Sequence, residues 1–256
     1  MISLPRLMVA PNGARKTKHD HPALPVTIEE TVQTAKACFD AGADGLHAHL
    51  RDADQQHILD AGLYKELLAE LRIAVPKMQV QITTEAVGLY QPPAQIELVK
   101  QVQPKSVSIS TKELLSTGDQ KAAAELYLWA QENGVAVQHI LYDTNDLAAL
   151  YHICIDHNIS RENIQLLFVL GRYTSDQQSD PSMLTPFLHR LAEIEMIADW
   201  ALCAFGQGET DCLIRAHQLG GKMRVGFENN ELNPDGSVAK DNAERVTLLN
   251  RLLAAH

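Results

Sequence analysis

Short apolar runs alternate with longer segments carrying a helical apolar stripe from one end of the chain to the other. Residues 6–11, 45–50, 78–83, 106–110, 136–142, 165–170, 200–205 and 222–227 read as strands, apolar and bounded by turn residues. Between and after them, 29–41, 61–74, 93–102, 119–133, 146–157, 183–197, 210–219 and 242–255 read as helices. Strict alternation predicts parallel strands joined by right-handed crossovers, and eight such units predict an α/β fold closed into a (β/α)8 TIM barrel. The boundaries have local causes. Thr27 with Glu30 three residues on forms a capping box, and Ile28, Val32, Ala35 and Phe39 share one helical stripe. Gly42 and Gly134 mark helix exits, where glycine takes the left-handed conformation readily. No linker or low-complexity tract interrupts the pattern, so residues 1–256 are expected to form one barrel domain. The loop 11–26 after the first strand is long enough to suggest a lid or a subunit contact.

The second predicted strand carries the sharpest chemical signal. In Gly45-Leu-His-Ala-His-Leu-Arg-Asp52, His47 and His49 are two residues apart, so a strand aims both imidazoles the same way. The pair lies near the carboxyl end of the strand, where α/β barrels place their ligands. Two buried, backbone-bonded histidines are the bland alternative; two parallel imidazoles suggest a metal. A catalytic zinc commonly takes three protein ligands and leaves a position open. Glu228, at the end of the eighth strand, is the candidate third donor, since barrel closure brings that end to the face of the second strand. Arg224, four residues earlier, is expected to point the same way and to need a carboxylate partner.

Other predicted strand ends are polar beyond what a structural barrel requires. Thr83, Thr84 and Glu85 close the third, while Ser106, Ser108 and Ser110 share one face of the fourth and could hold a carboxylate or carbonyl of a substrate. Tyr142 and Asp143 follow the fifth strand, and Arg172 and Tyr173 the sixth. The run Phe205-Gly-Gln-Gly208 offers backbone amides ahead of a helix, a weak anion cradle taken alone.

Length and composition narrow the class further. The 256 residues suffice for one large core, and a formal net charge of −10 argues against a nucleic-acid surface. Locally, residues 15–21 are basic, which suits a small anion or simply a solvated loop. Cys38, Cys154, Cys203 and Cys212 are scattered without metal spacing, so a disulfide framework is not expected. Pro5 and Arg6 break up the first residues, and no apolar run approaches a membrane span; a soluble, cytoplasmic protein is the expectation.

Taken together, the opening Ala10-Pro-Asn-Gly-Ala-Arg-Lys-Thr-Lys18, the run 21–27, His47-Ala-His-Leu-Arg-Asp52, Gln81-Ile-Thr-Thr84 and Arg224-Val-Gly-Phe-Glu-Asn-Asn230 resemble the β-keto acid cleavage enzyme family over nearly the whole chain. The resemblance implies a barrel that binds a divalent metal, usually zinc, and condenses a β-keto acid with acetyl-CoA to yield acetoacetate and a new acyl-CoA. It places the metal on His47, His49 and Glu228, a substrate-holding hydroxyl at Thr83, a carboxylate-binding hydroxyl near Ser108, and an arginine of a catalytic pair at Arg224. The metal would bind the keto oxygen and stabilise the alkoxide formed when an acetyl carbanion adds to the carbonyl. Homo-oligomers, dimeric or tetrameric, are typical of the family.

Two departures from the family pattern stand out. Asn229 occupies the position of a catalytic aspartate beside the metal glutamate, and an amide cannot take up a proton as a carboxylate does. The base is then Glu85, Asp52 or a metal-bound water, with Glu85 placed first for its position at a strand end. In the run Asn12-Gly-Ala-Arg15, arginine replaces a glutamate that recognises a substrate ammonium, so Asn12 and Arg15 are expected to meet an anionic or neutral β-keto acid. The alternatives are a metal-dependent hydrolase or metal-assisted aldolase on the same barrel, and a ligand-binding barrel without turnover.

Overall fold

In the computed structural model, which describes residues 2–255, the elements in chain order are β1 (Leu7–Val9), α1 (Ile28–Asp40), β2 (Gly45–Ala48), the short β3 (Leu50–Arg51) and β4 (His57–Ile58), α2 (Ala61–Ala74), β5 (Gln79–Thr83), α3 (Pro92–Val102), β6 (Ser106–Ser110), α4 (Thr111–Leu114), α5 (Gln120–Glu132), β7 (Ala136–Leu141), α6 (Thr144–Asp156), β8 (Ile164–Leu170), α7 (Thr185–Glu193), β9 (Ala198–Ala204), α8 (Glu209–Gln218), β10 (Lys222–Val225) and α9 (Asn242–Leu253). Eight strands close a parallel barrel in the order β1-β2-β5-β6-β7-β8-β9-β10. Leu7 opposite Met223 and Val9 opposite Val225 make the closing seam. The eightfold parallel barrel expected from the alternating pattern is therefore the fold.

The helices form because their caps and stripes agree. The α1 box is complete: Glu30 N–H donates to Thr27 Oγ1 at 3.1 Å, and Thr27 N–H to Glu30 Oε2 at 3.3 Å. Asp60, Asp119, Asp143 and Asp241 cap α2, α5, α6 and α9 in the same way, accepting first-turn amides that have no helical partner. The buried faces of these helices and the outward faces of the strands make one continuous apolar core. Inside the barrel a polar layer crosses the floor: Gln81 Nε2 donates to Gln138 Oε1 at 2.9 Å, and Gln138 Nε2 to the Leu166 carbonyl at 3.3 Å. Buried amides of this kind are tolerated because they are hydrogen-bonded.

Several boundaries differ from the sequence reading, each for a local reason. The eighth barrel strand stops at Val225, not residue 227, because Gly226 turns the chain at φ 141°. Glu228 thus sits on a turn beyond the strand. The helix expected over 183–197 begins as a 3-10 turn at Pro181–Leu184 and ends at Glu193, where Ile194 caps it and Glu195 takes a positive φ of 49°. Leu50 and Arg51 leave the barrel strand and pair antiparallel with His57 and Ile58, a hairpin that alternation alone did not reveal. The four cysteines are free and buried. Among the described residues, no helix is long and apolar enough to cross a membrane.

Candidate active site

The parallel strands deliver their carboxyl ends to one face, and a cavity of about 140 Å³ opens there. Its wall includes Asn12, Arg15, His47, Thr83, Glu85, Ser110, Glu113, Tyr142, Arg172, Arg224 and Glu228. His47 lies on β2, and His49 just beyond it points the same way, as the two-residue period requires. His47 Nε2 and His49 Nε2 are 2.9 Å apart, and each lies 3.5 Å from Glu228 Oε2. These are the three donors that the described residues bring together in a metal-ligating arrangement.

The surroundings prepare these atoms as ligands. Gln81 Oε1 lies 2.9 Å from His47 Nδ1, and because the same amide donates through Nε2 to Gln138, its oxygen can only accept. His47 then carries its proton on Nδ1 and presents a lone pair at Nε2, as a metal-ligating imidazole does. Burial, with the Arg224 charge behind it, holds His47 well below the usual histidine range, which keeps the ring neutral. Arg224 Nη2 donates to Glu228 Oε1 at 3.0 Å and leaves Oε2 without a hydrogen-bond partner, although that atom is buried. Burial pushes the Glu228 carboxyl up, but the charge of Arg224 outweighs it and holds the group well below the ordinary carboxylate range. An ionised, buried oxygen facing two imidazole nitrogens is a donor set that fits a divalent cation of borderline softness.

Further side chains hold this geometry. His57, from the unforeseen hairpin, meets the Glu85 carbonyl through Nε2 at 2.8 Å and packs its ring 5.1 Å from that of His49. Burial, then the neighbouring His49, lowers its pKa to about 3, so it stays neutral. Arg51 reaches back through Nη2 to the carbonyls of Asn12 at 3.3 Å, Lys16 at 3.2 Å and Gly13, pinning the first loop over the barrel mouth. Asn242 ties that loop to the last turn, donating to the Pro11 carbonyl at 3.1 Å and accepting from Phe227 N–H at 2.9 Å. Beneath that turn, the fully buried pair of Arg245 and Glu209 meets Asn230, so two opposite charges brace the segment that carries Glu228. Glu209 occupies the start of α8, where the sequence suggested an anion cradle, and its carboxylate is taken up by Arg245 of α9.

The residues singled out from sequence divide into two groups. The structure brings Arg15, Thr83, Glu85, Arg224, His47 and Glu228 to one cavity, with His49 behind its wall against His47 and Glu228. Thr83 Oγ1 accepts from Glu85 N–H at 3.1 Å, leaving its own proton to donate. Asn12 also reaches the wall, but its amide is committed to backbone, donating to Pro25 at 3.1 Å and His49 at 3.0 Å. It holds the loop to the β2 end instead of offering a free amide to a ligand. Ser108 does not line the cavity: it lies one layer deeper, 3.5 Å from Thr83 Oγ1, and Ser110, two residues on, takes the wall position. Asn229 is buried without lining the cavity, because the turn bonded from Asn229 N–H to the Gly226 carbonyl at 2.9 Å sends successive side chains in different directions. Asp52 is exposed and accepts the amides of Asp54 and Gln56, a turn cap outside the cavity. Sequence reasoning gave no role to Glu113, Gln81, His57 or Arg172. For Glu113 the available signal was Ser110 three residues before it, a capping pattern that the structure realises at 3.2 Å.

Comparisons with known proteins identify the family and the fold. The model of a family described as beta-keto acid cleavage enzyme matches residues 6–256. A 3-keto-5-aminohexanoate cleavage enzyme of Fusobacterium nucleatum is 25% identical over 254 residues, covering 94% of this chain and 88% of that protein. A 3-oxoadipate:acetyl-CoA acetyltransferase of Cupriavidus necator is 23% identical over 246 residues, covering 94% and 85%. Among solved structures, ObcA in a binary complex with oxaloacetate superposes with a TM-score of 0.72 at 15% identity, covering 91% of this chain. The chain spans 64% of that longer protein, and the likeness speaks to the fold.

Proposed function

The chain belongs to the beta-keto acid cleavage enzyme family, and from that premise we propose that it transfers the acyl group of a β-keto acid to coenzyme A, using acetyl-CoA and releasing acetoacetate, with a zinc or similar divalent ion on His47, His49 and Glu228. The observation that carries this reading is the convergence of three metal-ligating side chains, His47 and His49 at the end of β2 and Glu228 on the turn after β10, with His47 and Glu228 on the cavity wall and the buried Glu228 Oε2 left without a hydrogen-bond partner among the described residues. The names of the two relatives, one a cleavage enzyme for a keto acid and one an acetyl-CoA acetyltransferase, support this reading.

Atom balance sets the polarity of the reaction. Acetoacetate contains the acetyl group joined to the methylene of the keto acid, so that methylene carbon is the nucleophile and the acetyl thioester carbonyl the electrophile. The polarity implied by the family resemblance, attack by an acetyl carbanion, is therefore reversed. A divalent cation held by His47, His49 and Glu228 would supply Lewis acidity that makes the methylene of the keto acid more acidic.

The chain's own residues do the rest. Arg224 keeps the Glu228 carboxylate ionised and oriented, and Gln81 keeps the His47 lone pair facing the cavity. The Thr83 and Ser110 hydroxyls stand where a substrate carboxylate can accept from them. Arg15 and Arg172 line the mouth without a carboxylate within ion-pair distance among the described residues, which favours anionic substrates over ammonium-bearing ones. On the opposite side Ile140, Val169 and Phe205 present an apolar surface that keeps water from a carbanion.

Incubation of purified protein with zinc, acetyl-CoA and a panel of β-keto acids tests the reading: acetoacetate and a new thioester are expected, fastest with acids that carry no ammonium. Metal-bound protein that turns over no member of the panel overturns it. Cleavage without acetyl-CoA would instead favour the hydrolase or aldolase reading.

A further inference from the structure

Asn229 removes the carboxylate expected beside the metal glutamate, so the cavity must supply a proton acceptor elsewhere. Among the described residues, two carboxyl side chains line it besides Glu228: Glu85 and Glu113. Glu85 Oε2 stands 3.8 Å from His49 Nδ1, against the ligand set. Glu113 stands clear of the ligands, and three elements hold it. Its amide is capped by Ser110 Oγ at the end of β6, and its Oε2 accepts from Ala86 N–H at 2.9 Å and from Gln95 Nε2 of α3 at 3.4 Å. Gln95 is itself fully buried and anchored on the Thr84 carbonyl at 2.7 Å. With Oε2 committed to two donors, Oε1 is the oxygen without a protein hydrogen bond among the described residues, on a side chain that forms part of the cavity wall.

We propose that Glu113 is the catalytic base of this enzyme, taking a proton from the methylene of the bound β-keto acid and returning it to acetoacetate. The inference rests on the reading of the site as a β-keto acid cleavage centre. In the first step the C–H bond breaks, its electron pair passes into the enolate, and the proton goes to Glu113. The enolate carbon then bonds to the acetyl carbonyl carbon and the thiolate of coenzyme A leaves. That thiolate adds to the original keto carbonyl, the bond between this carbon and the methylene-derived carbon breaks, and the departing carbanion of acetoacetate takes the proton back from Glu113. No proton is gained or lost overall, so one carboxyl serves both steps.

The surroundings match such a shuttle. Burial, and after the restraining Ala86 amide the charge of Glu85, bring Glu113 up to about 7, with Gln95 and Arg15 pulling the other way. A carboxyl near neutrality both accepts and returns a proton efficiently. The groups facing it are Glu85 from the loop after β5, Arg15 from the first loop, Gln95 from α3 and Tyr142 from the end of β7; Lys112 precedes it on α4 and stacks on Tyr173 instead. Burial and then Glu85 and Glu113 push the Tyr142 hydroxyl far up, so it remains neutral and does not compete as a base.

The test compares the zinc-loaded wild type with Glu113→Gln and Glu85→Gln, reading kcat against pH between 5 and 9 together with melting temperature and zinc content. The wild type is expected to lose rate below about pH 7. E113Q should be slower by about 100-fold or more and lack that limb, while keeping its zinc and fold. E85Q should retain the limb but move it to lower pH, because a like charge has been removed from beside the base. An E113Q enzyme with a wild-type rate, or a slow one that keeps the limb, overturns the assignment and leaves Glu113 a structural tie. A wild type that forms no acetoacetate overturns the underlying reading as well, so the two failures are distinguishable.

Discussion

The cavity has two unlike walls. On the side of β1, β2, β5 and β10 it is built of His47, Thr83, Glu85, Arg224 and Glu228, and several buried polar atoms there, including His49 Nδ1 and Glu228 Oε2, have no hydrogen-bond partner. On the side of β7, β8 and β9 the strands contribute Ile140 and Val169, with Phe205 just after β9, continuous with a small cluster of Leu167, Ala201 and Cys203 inside the barrel, and Tyr142 and Arg172 beyond the ends of β7 and β8 add polar atoms there. The second wall is what a barrel interior does for stability: apolar side chains fill it. The first holds unpartnered donors and charges that cost free energy in the folded chain and so point to a ligand. The contrast separates the chemistry of the site from its containment, and substitutions on the two walls should fail in different ways.

The largest effect is expected on the polar wall. Glu228→Gln or His47→Ala should lower kcat/KM by roughly a thousand-fold or more, and elemental analysis should find the divalent ion lost while circular dichroism stays that of the barrel. Phe205→Ala on the apolar wall should do the reverse: about 3 kcal/mol less stable in a denaturant titration, with metal stoichiometry retained. Loss of metal from the second variant would break the division between the walls.

Next in size is the amide behind His47. Gln81→Leu removes the acceptor at Nδ1, and metal affinity measured by competition with a chelator should fall by about 10- to 100-fold, with a smaller change in melting temperature. Arg15→Glu should exchange substrate preference at the cavity mouth, raising KM for a β-keto diacid by about ten-fold, by the order of one lost charge contact, with less effect on a neutral acid. The smallest effect is on stability against pH. Glu113 has a raised folded pKa, so between about 4.5 and about 7 the folded protein holds a proton that the unfolded chain releases, and stability falls as pH rises through that window. Glu113→Gln removes this dependence, and above pH 7 its melting temperature should exceed that of the wild type by roughly a few degrees.

Much of the frame was legible along the chain. Period-two and period-3.6 apolar patterns are local, so all eight barrel strands and the main helices could be placed, and the misplacements fell where a single residue turned the chain, as Gly226 does after Val225. The imidazole pair was legible for the same reason. Glu228 was reachable only by assuming barrel closure, and it sits on a turn rather than on the strand it was assigned to. Ser108 and Ser110 illustrate the limit: period two correctly puts both on one face, but which layer reaches the cavity depends on strand tilt and length, and that is a property of the closed barrel.

The sequence by itself determined the architecture and the identity of the two imidazoles, because backbone periodicity and capping act over a few residues and need no distant partner. Only the tertiary structure decided which carboxylates meet them, which amide orients His47, and that Glu113, more than sixty residues from His47 in the chain, shares its cavity. Those relations depend on barrel closure, which brings the first loop, the strand ends and the last turn together, and on burial, which sets the charge state of each group once they have met.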